Sequence, residues 1–272
     1  MLPAPDLTQY LTHVGPRLLA SGCELLLDEV DQLVLDENCV LEFNAGAGML
    51  TEKLRERTLY ANATLWVCDK DPTLLRYVKS KKKHPLRVSA AARNLPFPDA
   101  SFHCAMGNAY FLDEEYTQSL LRSLHRVITP AGKCIIAGFL KGSFDELFDL
   151  AAEAAEMKED DARQQRIVAQ QESLLDHAGL IALAEKEGFV GVKAGICERA
   201  LFLADGDALL HDPLATDLLA PLWLGTPTDR PPQPAERRRI LEAVKESIDT
   251  YFGAQRFSLR LVTGVVVATR SL

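Results

Sequence analysis

The chain has 272 residues, of which 47% are hydrophobic and 25% are charged, and its formal net charge is −8. This composition is typical of a globular protein and allows one large α/β domain with an insertion. The negative charge argues against a nucleic-acid partner, since such binding depends on cations that neutralise phosphates. No apolar run approaches the roughly 20 residues of a membrane-spanning helix, and residues 1–6 lack a secretory signal pattern. We therefore expect a cytoplasmic protein without a membrane span.

Six cysteines are present, and no two of them form a CxxC pair. Five lie in apolar runs that predict strands, namely Cys39, Cys68, Cys104, Cys134 and Cys197. Small buried thiols in a reducing compartment explain this placement better than a zinc site or a disulfide framework does. We expect no metal centre.

The elements begin with residues 1–35, whose apolar side chains recur at helical spacing and predict one or two helices. Short apolar runs then alternate with amphipathic stretches, the pattern of a parallel sheet covered by helices on both faces. Strands are expected at residues 39–43, 63–68, 86–88, 102–106, 133–139, 188–203 and 257–269. The predicted fold class is α/β, a doubly wound, mostly parallel, seven-stranded sheet of Rossmann-like type. Ligands bind such sheets at the carboxyl ends of the strands.

Two helical regions interrupt the alternation near the end of the chain. Residues 144–183 are rich in Ala, Glu, Asp and Gln and predict a helix. Residues 205–253 contain two helical patterns and a Pro-rich joint at 227–234, which we interpret as a helical cap inserted before the last strand of a single domain, 1–272. The apolar stretch 218–224 in this cap is open to three interpretations: a cover over an apolar substrate, a homodimer contact, or packing on the sheet. The basic run 79–84 is interpreted as cations at the negative end of a helix dipole.

The first predicted strand ends in an acid, Glu42, and is followed by a loop of small residues that includes Gly46 and Gly48. Glycine permits positive φ angles and lets a ligand approach the backbone closely. Twenty-one positions after Gly48, the second strand ends in Asp69. A carboxylate at this point can accept both hydroxyls of a ribose. The two features together predict a ligand that contains a nucleoside.

The type of nucleoside follows from Glu42 and Thr51. A dinucleotide-binding fingerprint requires a third glycine where this chain has Thr51. Glu42 would repel a pyrophosphate but attract a cationic ligand. S-adenosylmethionine carries an ammonium and a sulfonium, and it is therefore the predicted cofactor.

This loop resembles the first motif, ExGxGxG, of the class I S-adenosylmethionine-dependent methyltransferases, specifically the small-molecule group that includes ubiquinone and biotin-pathway enzymes. Glu42, Asn44, Gly46 and Gly48 match the motif, with Asn44 in place of its first glycine. Asparagine tolerates the left-handed conformation better than most residues do. The resemblance implies that these residues, together with Ala45, bind the cofactor.

The resemblance continues beyond the loop. Asp69 matches the ribose-binding acid, and Lys70 is implied to lie near the adenine. Residues 91–103 match the third motif, GDAxxLPFxDxSFD, but Ala91 replaces the acid that contacts the adenine amine. Adenine recognition is then implied to depend on the backbone near Ala92 and on apolar packing. Asn108, at the end of the following strand, is implied to line the methionine end of the site.

Three functions are consistent with these sequence features. The first is an enzyme that transfers the methyl group to an oxygen, nitrogen or carbon of a small apolar molecule. We assign no catalytic residue, since in-line methyl transfer needs mainly positioning and exclusion of water. The second is a binding or scaffold protein without turnover, suggested by the departures at Asn44, Ala91 and His103. The third is a nicotinamide oxidoreductase. Five aromatic residues are either walls of a substrate pocket or core residues: Tyr10, Tyr110, Phe111, Tyr116 and Trp223.

Overall fold

A computed structural model of the chain describes residues 8, 10–31, 33, 39–56, 62–78, 85–225, 233–253 and 256–272. The basic run 79–84, parts of the N-terminal segment 1–35 and most of the joint 227–234 lie outside the described residues. The helices are α1 (Tyr10–Leu19, π-helical), α2 (Ala20–Val30), α3 (Met49–Glu56), α4 (Pro72–Leu75), α5 (Glu114–Val127), α6 (Asp145–Glu156), α7 (Asp161–Glu172), α8 (His177–Lys186), α9 (Gly206–His211), α10 (Ala220–Trp223) and α11 (Pro234–Phe252). The strands are β1 (Cys39–Phe43), β2 (Thr64–Asp69), β3 (Leu86–Ser89), β4 (Phe102–Phe111), β5 (Ile128–Phe139), β6 (Phe189–Leu203) and β7 (Phe257–Arg270).

The strands form one seven-stranded sheet in the order β3-β2-β1-β4-β5-β7-β6. Strands β1 to β5 pair in parallel, and β7 is antiparallel to β5. This arrangement confirms the predicted fold class. The strand order reverses between β1 and β4, and open α/β sheets bind ligands at such a point.

The centre of the sheet is apolar on both faces, because helices cover both sides of its parallel strands. In β1, Val40, Leu41 and Phe43 are buried. β4 passes close to β1 at Gly107, where an added Cβ would lie 2.2 Å from the carbonyl oxygen of Phe43. The carboxyl end of β1 is thereby held rigidly next to β4.

Several element boundaries differ from those predicted. The helix expected over 144–183 is three helices, because Asp160 and Asp176 cap α7 and α8 with side-chain acceptors for Arg163 N and Gly179 N. α4 ends at Leu75, four residues before the basic run 79–84 begins. β4 continues to Phe111, which places Asn108 within the strand.

The cysteine placement is confirmed for all five predicted strand positions. They lie in β1, β2, β4, β5 and β6, and Cys68, Cys104 and Cys134 are buried free thiols. Within the described ranges, no group of three or more His, Cys, Asp and Glu side chains could hold a metal ion.

The chain divides into two compact units. The first contains the described residues of 10–140, 175–197 and 263–272, and the second contains those of 141–174 and 198–262. The predicted cap, 205–253, falls in the second unit, where α10 packs against α6 and α7. Its covering role and the single-domain assignment stay predictions. No helix in the described part of the chain has the length and apolarity needed to cross a membrane.

Candidate cofactor site

The loop between β1 and α3 has the left-handed backbone that its sequence suggested. Asn44, Gly46 and Gly48 have φ angles of 50°, 53° and 92°. Gly48 also permits a close approach, since an added Cβ would lie 2.9 Å from Cγ1 of Val78. The loop therefore depends on two glycines. Asn44 adopts the left-handed conformation at the position where the family motif has another glycine.

Asp69, at the end of β2, fastens this loop. Its Oδ2 accepts a hydrogen bond from Gly46 N at 2.8 Å, and its Oδ1 accepts one from Asp71 N at 2.9 Å. Burial raises the pKa of Asp69, and these two backbone donors oppose that rise. Asp71, not Asp69, caps α4, by accepting from Thr73 N. A carboxylate has about four acceptor positions, so Asp69 can accept further donors.

Glu42 lies below the loop and is 1% exposed. Its Oε2 accepts a hydrogen bond from the Thr51 hydroxyl at 2.6 Å. Desolvation raises the pKa of Glu42 to about 8, against the opposing effects of Thr51 and of the positive charge of Arg55. At neutral pH the carboxyl group is then mostly protonated, and a nearby ligand cation would favour its ionised form. Thr51, which the sequence marked only as a missing glycine, is the hydrogen-bond donor to this acid.

Asn44 connects the loop to β4 and α5. Its Nδ2 donates to the carbonyl oxygen of Asn108 at 2.9 Å and to the hydroxyl of Tyr116 at 3.1 Å. Asn108 in turn donates from its own Nδ2 to Sγ of Cys23 at 3.3 Å. The asparagine that departs from the family motif is therefore the centre of a polar network.

We expect Asn44→Gly to lower the free energy of unfolding by about 1–2 kcal/mol, because two partly buried hydrogen bonds are lost while the left-handed backbone is retained. Tyr116→Phe should remove about half of that amount, since it deletes one of the two bonds. Urea denaturation of both single variants and the double variant measures the coupling. A variant Asn44→Gly at least as stable as the wild type would contradict this role.

The loop borders a small cavity. Four predicted site residues line it, namely Glu42, Asn44, Ala45 and Asn108. The other five lining residues come from α1, α2 and α3: Tyr10, Leu19, Cys23, Met49 and Leu50. Among these only Tyr10 was considered as a pocket wall from the sequence. Cys23 and Leu19 carry no sequence signal, because they are ordinary apolar positions of a helix. Lys70 is exposed and does not line the cavity.

The predicted adenine end is built from the parallel pairing of β2 and β3. Asp69 pairs with Ser89, and Ala90 N donates to the Asp69 carbonyl oxygen at 2.9 Å. Ala91 and Ala92 follow directly, and Ala92 is buried at the start of a 3₁₀ turn. The register therefore brings these alanines near Asp69. Their contact with adenine stays a prediction.

Arg126 of α5 holds the segment of the third motif in place. Its guanidinium donates to the carbonyl oxygens of Leu95 and Phe97, both at 2.6 Å, and to Asp99 at 2.9 Å. His103 has a separate role, as its Nδ1 accepts from the backbone N–H of Cys39 at the start of β1. These bonds make Asp99 a support of the motif's segment and His103 a support of the sheet.

Residues 41–136, which contain most of β1, all of β2 to β4 and α3 to α5, and most of β5, match the family described as a methyltransferase domain. This segment of the chain is therefore similar to a methyltransferase domain. It is 30% identical over 136 residues to a malonyl-[acyl-carrier protein] O-methyltransferase of Halorhodospira halophila, covering 46% of this chain and 45% of the relative. It is 26% identical over 168 residues to a ubiquinone/menaquinone biosynthesis C-methyltransferase of Cronobacter sakazakii, covering 56% of this chain and 66% of the relative.

A similar fold occurs in a phosphoethanolamine N-methyltransferase 2 of Haemonchus contortus, solved in complex with S-adenosyl-L-methionine. The TM-score is 0.51 at 12% identity, over 93% of this chain and 53% of that one. The family match agrees with the resemblance to class I methyltransferases that the sequence motifs carry. The chain spans about half to two thirds of the length of the curated relatives it matches.

Proposed function

We propose that this chain binds S-adenosylmethionine at the loop between β1 and α3 and transfers its methyl group to a small molecule. The observation that supports this proposal is the pair of buried carboxyl groups beside a left-handed glycine loop, Glu42 and Asp69. One lines the cavity and the other holds the loop. A methyltransferase family match over the same residues agrees with it.

The residues fit the cofactor at both of its polar ends. Glu42 offers a desolvated carboxyl group to the ammonium, and Asp69 offers its remaining acceptor positions to the ribose hydroxyls. Ala91 and Ala92 supply backbone groups and an apolar surface for the adenine, without the acid that the family motif has there. S-adenosylmethionine supplies an electrophilic methyl group on its sulfonium. The chain's own contribution is to bind, orient and exclude water.

The methyl acceptor is proposed only as a small molecule. The curated relatives are named for different acceptor atoms, oxygen in one case and carbon in the other. The carboxyl end of β4 carries Tyr110 and Phe111, two of the aromatic residues that the sequence offered as pocket walls. This end of the strand is where we place the acceptor.

The test is isothermal titration of the purified protein with S-adenosylmethionine and S-adenosylhomocysteine. We expect Asp69→Ala to weaken binding at least about 100-fold, because hydrogen bonds to a charged acceptor contribute roughly 1.5–3 kcal/mol each. The matched control is Asp71→Ala, two residues away, where only the cap of α4 is lost. Its affinity should stay within about threefold of the wild type, since about 0.6 kcal/mol or less separates them.

Two results would overturn the proposal. If neither the folded wild-type protein nor any folded variant binds either compound, a scaffold protein with this fold would remain. Binding of NADH in place of S-adenosylmethionine would favour the oxidoreductase that Glu42 and Thr51 argue against.

A further inference from the structure

The side chain of Tyr10 lies directly on the glycine loop. A Cβ added to Gly46 would come within 2.1 Å of the Tyr10 hydroxyl oxygen and 2.3 Å of its ring carbon Cζ. Tyr10 itself is only 2% exposed. Glycine in such a loop leaves room for a ligand to approach the backbone. At Gly46 the chain's own phenol group occupies that room.

The phenol also lies near both acids of the site. Burial raises the pKa of Tyr10 well above its ordinary value, and the negative charges of Asp69 and Glu42 raise it further. Its hydroxyl is therefore neutral at physiological pH, and it lies close enough to both carboxyl groups for their charges to affect its pKa. These are the groups proposed to bind the ribose and the ammonium.

The helix that carries Tyr10 is poorly suited to hold a fixed position. α1 is π-helical along its whole length and contains Gly15 and Pro16. Long π-helical runs are rare, and glycine and proline are the weakest helix formers. The helix is held by one buried face, and Gly15 packs on Met49, where an added Cβ would lie 2.6 Å from the Met49 methyl carbon. A short segment with such weak helix formers can open locally at low cost.

The cavity beside the phenol is small. It has room for only about one water molecule, whereas pockets that enclose ligands of this size have volumes of roughly 300–1,000 Å³. Tyr10 forms part of its lining. Withdrawal of the phenol would extend the cavity over Gly46 towards Asp69.

We propose that Tyr10 is a gate of the cofactor site: its phenol occupies the place over Gly46 and must leave before S-adenosylmethionine binds. This inference rests on the proposed function, since it concerns access to the same site. A site that is open for only a fraction of the time binds with an affinity reduced by that fraction. The closed gate thus lowers the apparent affinity and slows association.

The experiment compares association kinetics of S-adenosylhomocysteine, by stopped flow, with equilibrium affinity, by isothermal titration. Tyr10→Leu retains an apolar side chain for packing but does not reach Gly46, and Tyr10→Ala removes the packing as well. We expect both variants to bind at least about tenfold faster and several-fold tighter, the gain expected from removing a closed state. Tyr10→Phe keeps the ring over the loop and should behave nearly as the wild type. Tyr251→Ala, at an exposed tyrosine outside the site, is the matched control.

Hydrogen exchange gives a readout that does not depend on these variants. In the wild type, α1 amides should exchange faster after the ligand binds, because the helix is displaced. Weaker binding by Tyr10→Leu, together with slower exchange of α1 in the complex, would overturn the gate and make Tyr10 a cover over the bound cofactor. If the wild type fails to bind S-adenosylhomocysteine but Tyr10→Leu binds it, the gate is supported, and the wild-type site is almost always closed. If no folded variant binds, the proposed function fails as well.

Discussion

Glu42→Gln should weaken S-adenosylmethionine binding at pH 8 by about 100-fold, because the ligand's ammonium loses a desolvated carboxylate, a loss of roughly 3 kcal/mol. The wild-type affinity should itself depend on pH. The pKa of Glu42 is about 8 in the cofactor-free protein, raised chiefly by burial. Below pH 8 the carboxyl group is mostly protonated and must lose its proton when the cation binds. Affinity therefore rises with pH up to about 8, and binding at pH 7 releases about one proton.

Titration in two buffers with different heats of ionisation measures this proton release. The ligand's own amine titrates equally with both proteins, so the difference between the wild type and Glu42→Gln reports on Glu42. The groups that interact with this acid are the Thr51 hydroxyl, Arg55 and four groups around the site: Cys23, Cys68, Asp69 and Tyr10. The control is Glu52→Gln, an exposed acid in the first turn of α3. Equal proton release by the wild type and Glu42→Gln would contradict the role of Glu42.

The same substitution should stabilise the cofactor-free protein. The pKa of Glu42 is raised on folding from 4.5 to about 8, so between these values the folded state binds more protons than the unfolded state. Stability is unaffected by this group below pH 4.5 and falls as the pH rises to about 8. Glu42→Gln removes a penalty on the order of 3–5 kcal/mol at pH 8, while its amide oxygen can still accept from Thr51.

Urea denaturation from pH 5 to pH 8.5 measures this effect as the difference between the two proteins. That difference should grow steadily with pH, because other titrating groups contribute equally to both. A constant difference would show that Glu42 is ionised throughout. If Glu42→Gln stabilises the cofactor-free protein but weakens cofactor binding, the desolvated carboxyl group of Glu42 lowers stability and serves ligand binding.

Much of the site could be predicted from residues that are close in sequence. Glu42, Asn44, Gly46 and Gly48 lie in one loop, and the end of a parallel strand fixes where such a loop lies in the sheet. Asp69 follows from the same rule, because β2 is the neighbour of β1. The strand positions followed from apolar runs, which are strong signals in a sheet covered on both faces.

Element boundaries were less predictable, since local capping decides them. The helix expected over 144–183 is divided at Asp160 and Asp176, whose side chains satisfy the free N–H groups of new helices. Periodicity alone does not distinguish a cap from a polar residue on a continuous helix.

The sequence by itself determined the fold class, the glycine loop and the two acids, since each depends on local backbone geometry and on strand order. Only the tertiary structure decided what surrounds them. Tyr10 reaches Gly46 across 36 positions of sequence, and Asn44 bonds Tyr116 across 72. Such contacts depend on how helices and strands pack in three dimensions. Residues so far apart in the sequence share no hydrophobic periodicity that would predict their contact. For that reason the residues expected to bind the cofactor were visible in the sequence, whereas the sequence offered Tyr10 only as a pocket wall or a core residue and did not place it over Gly46.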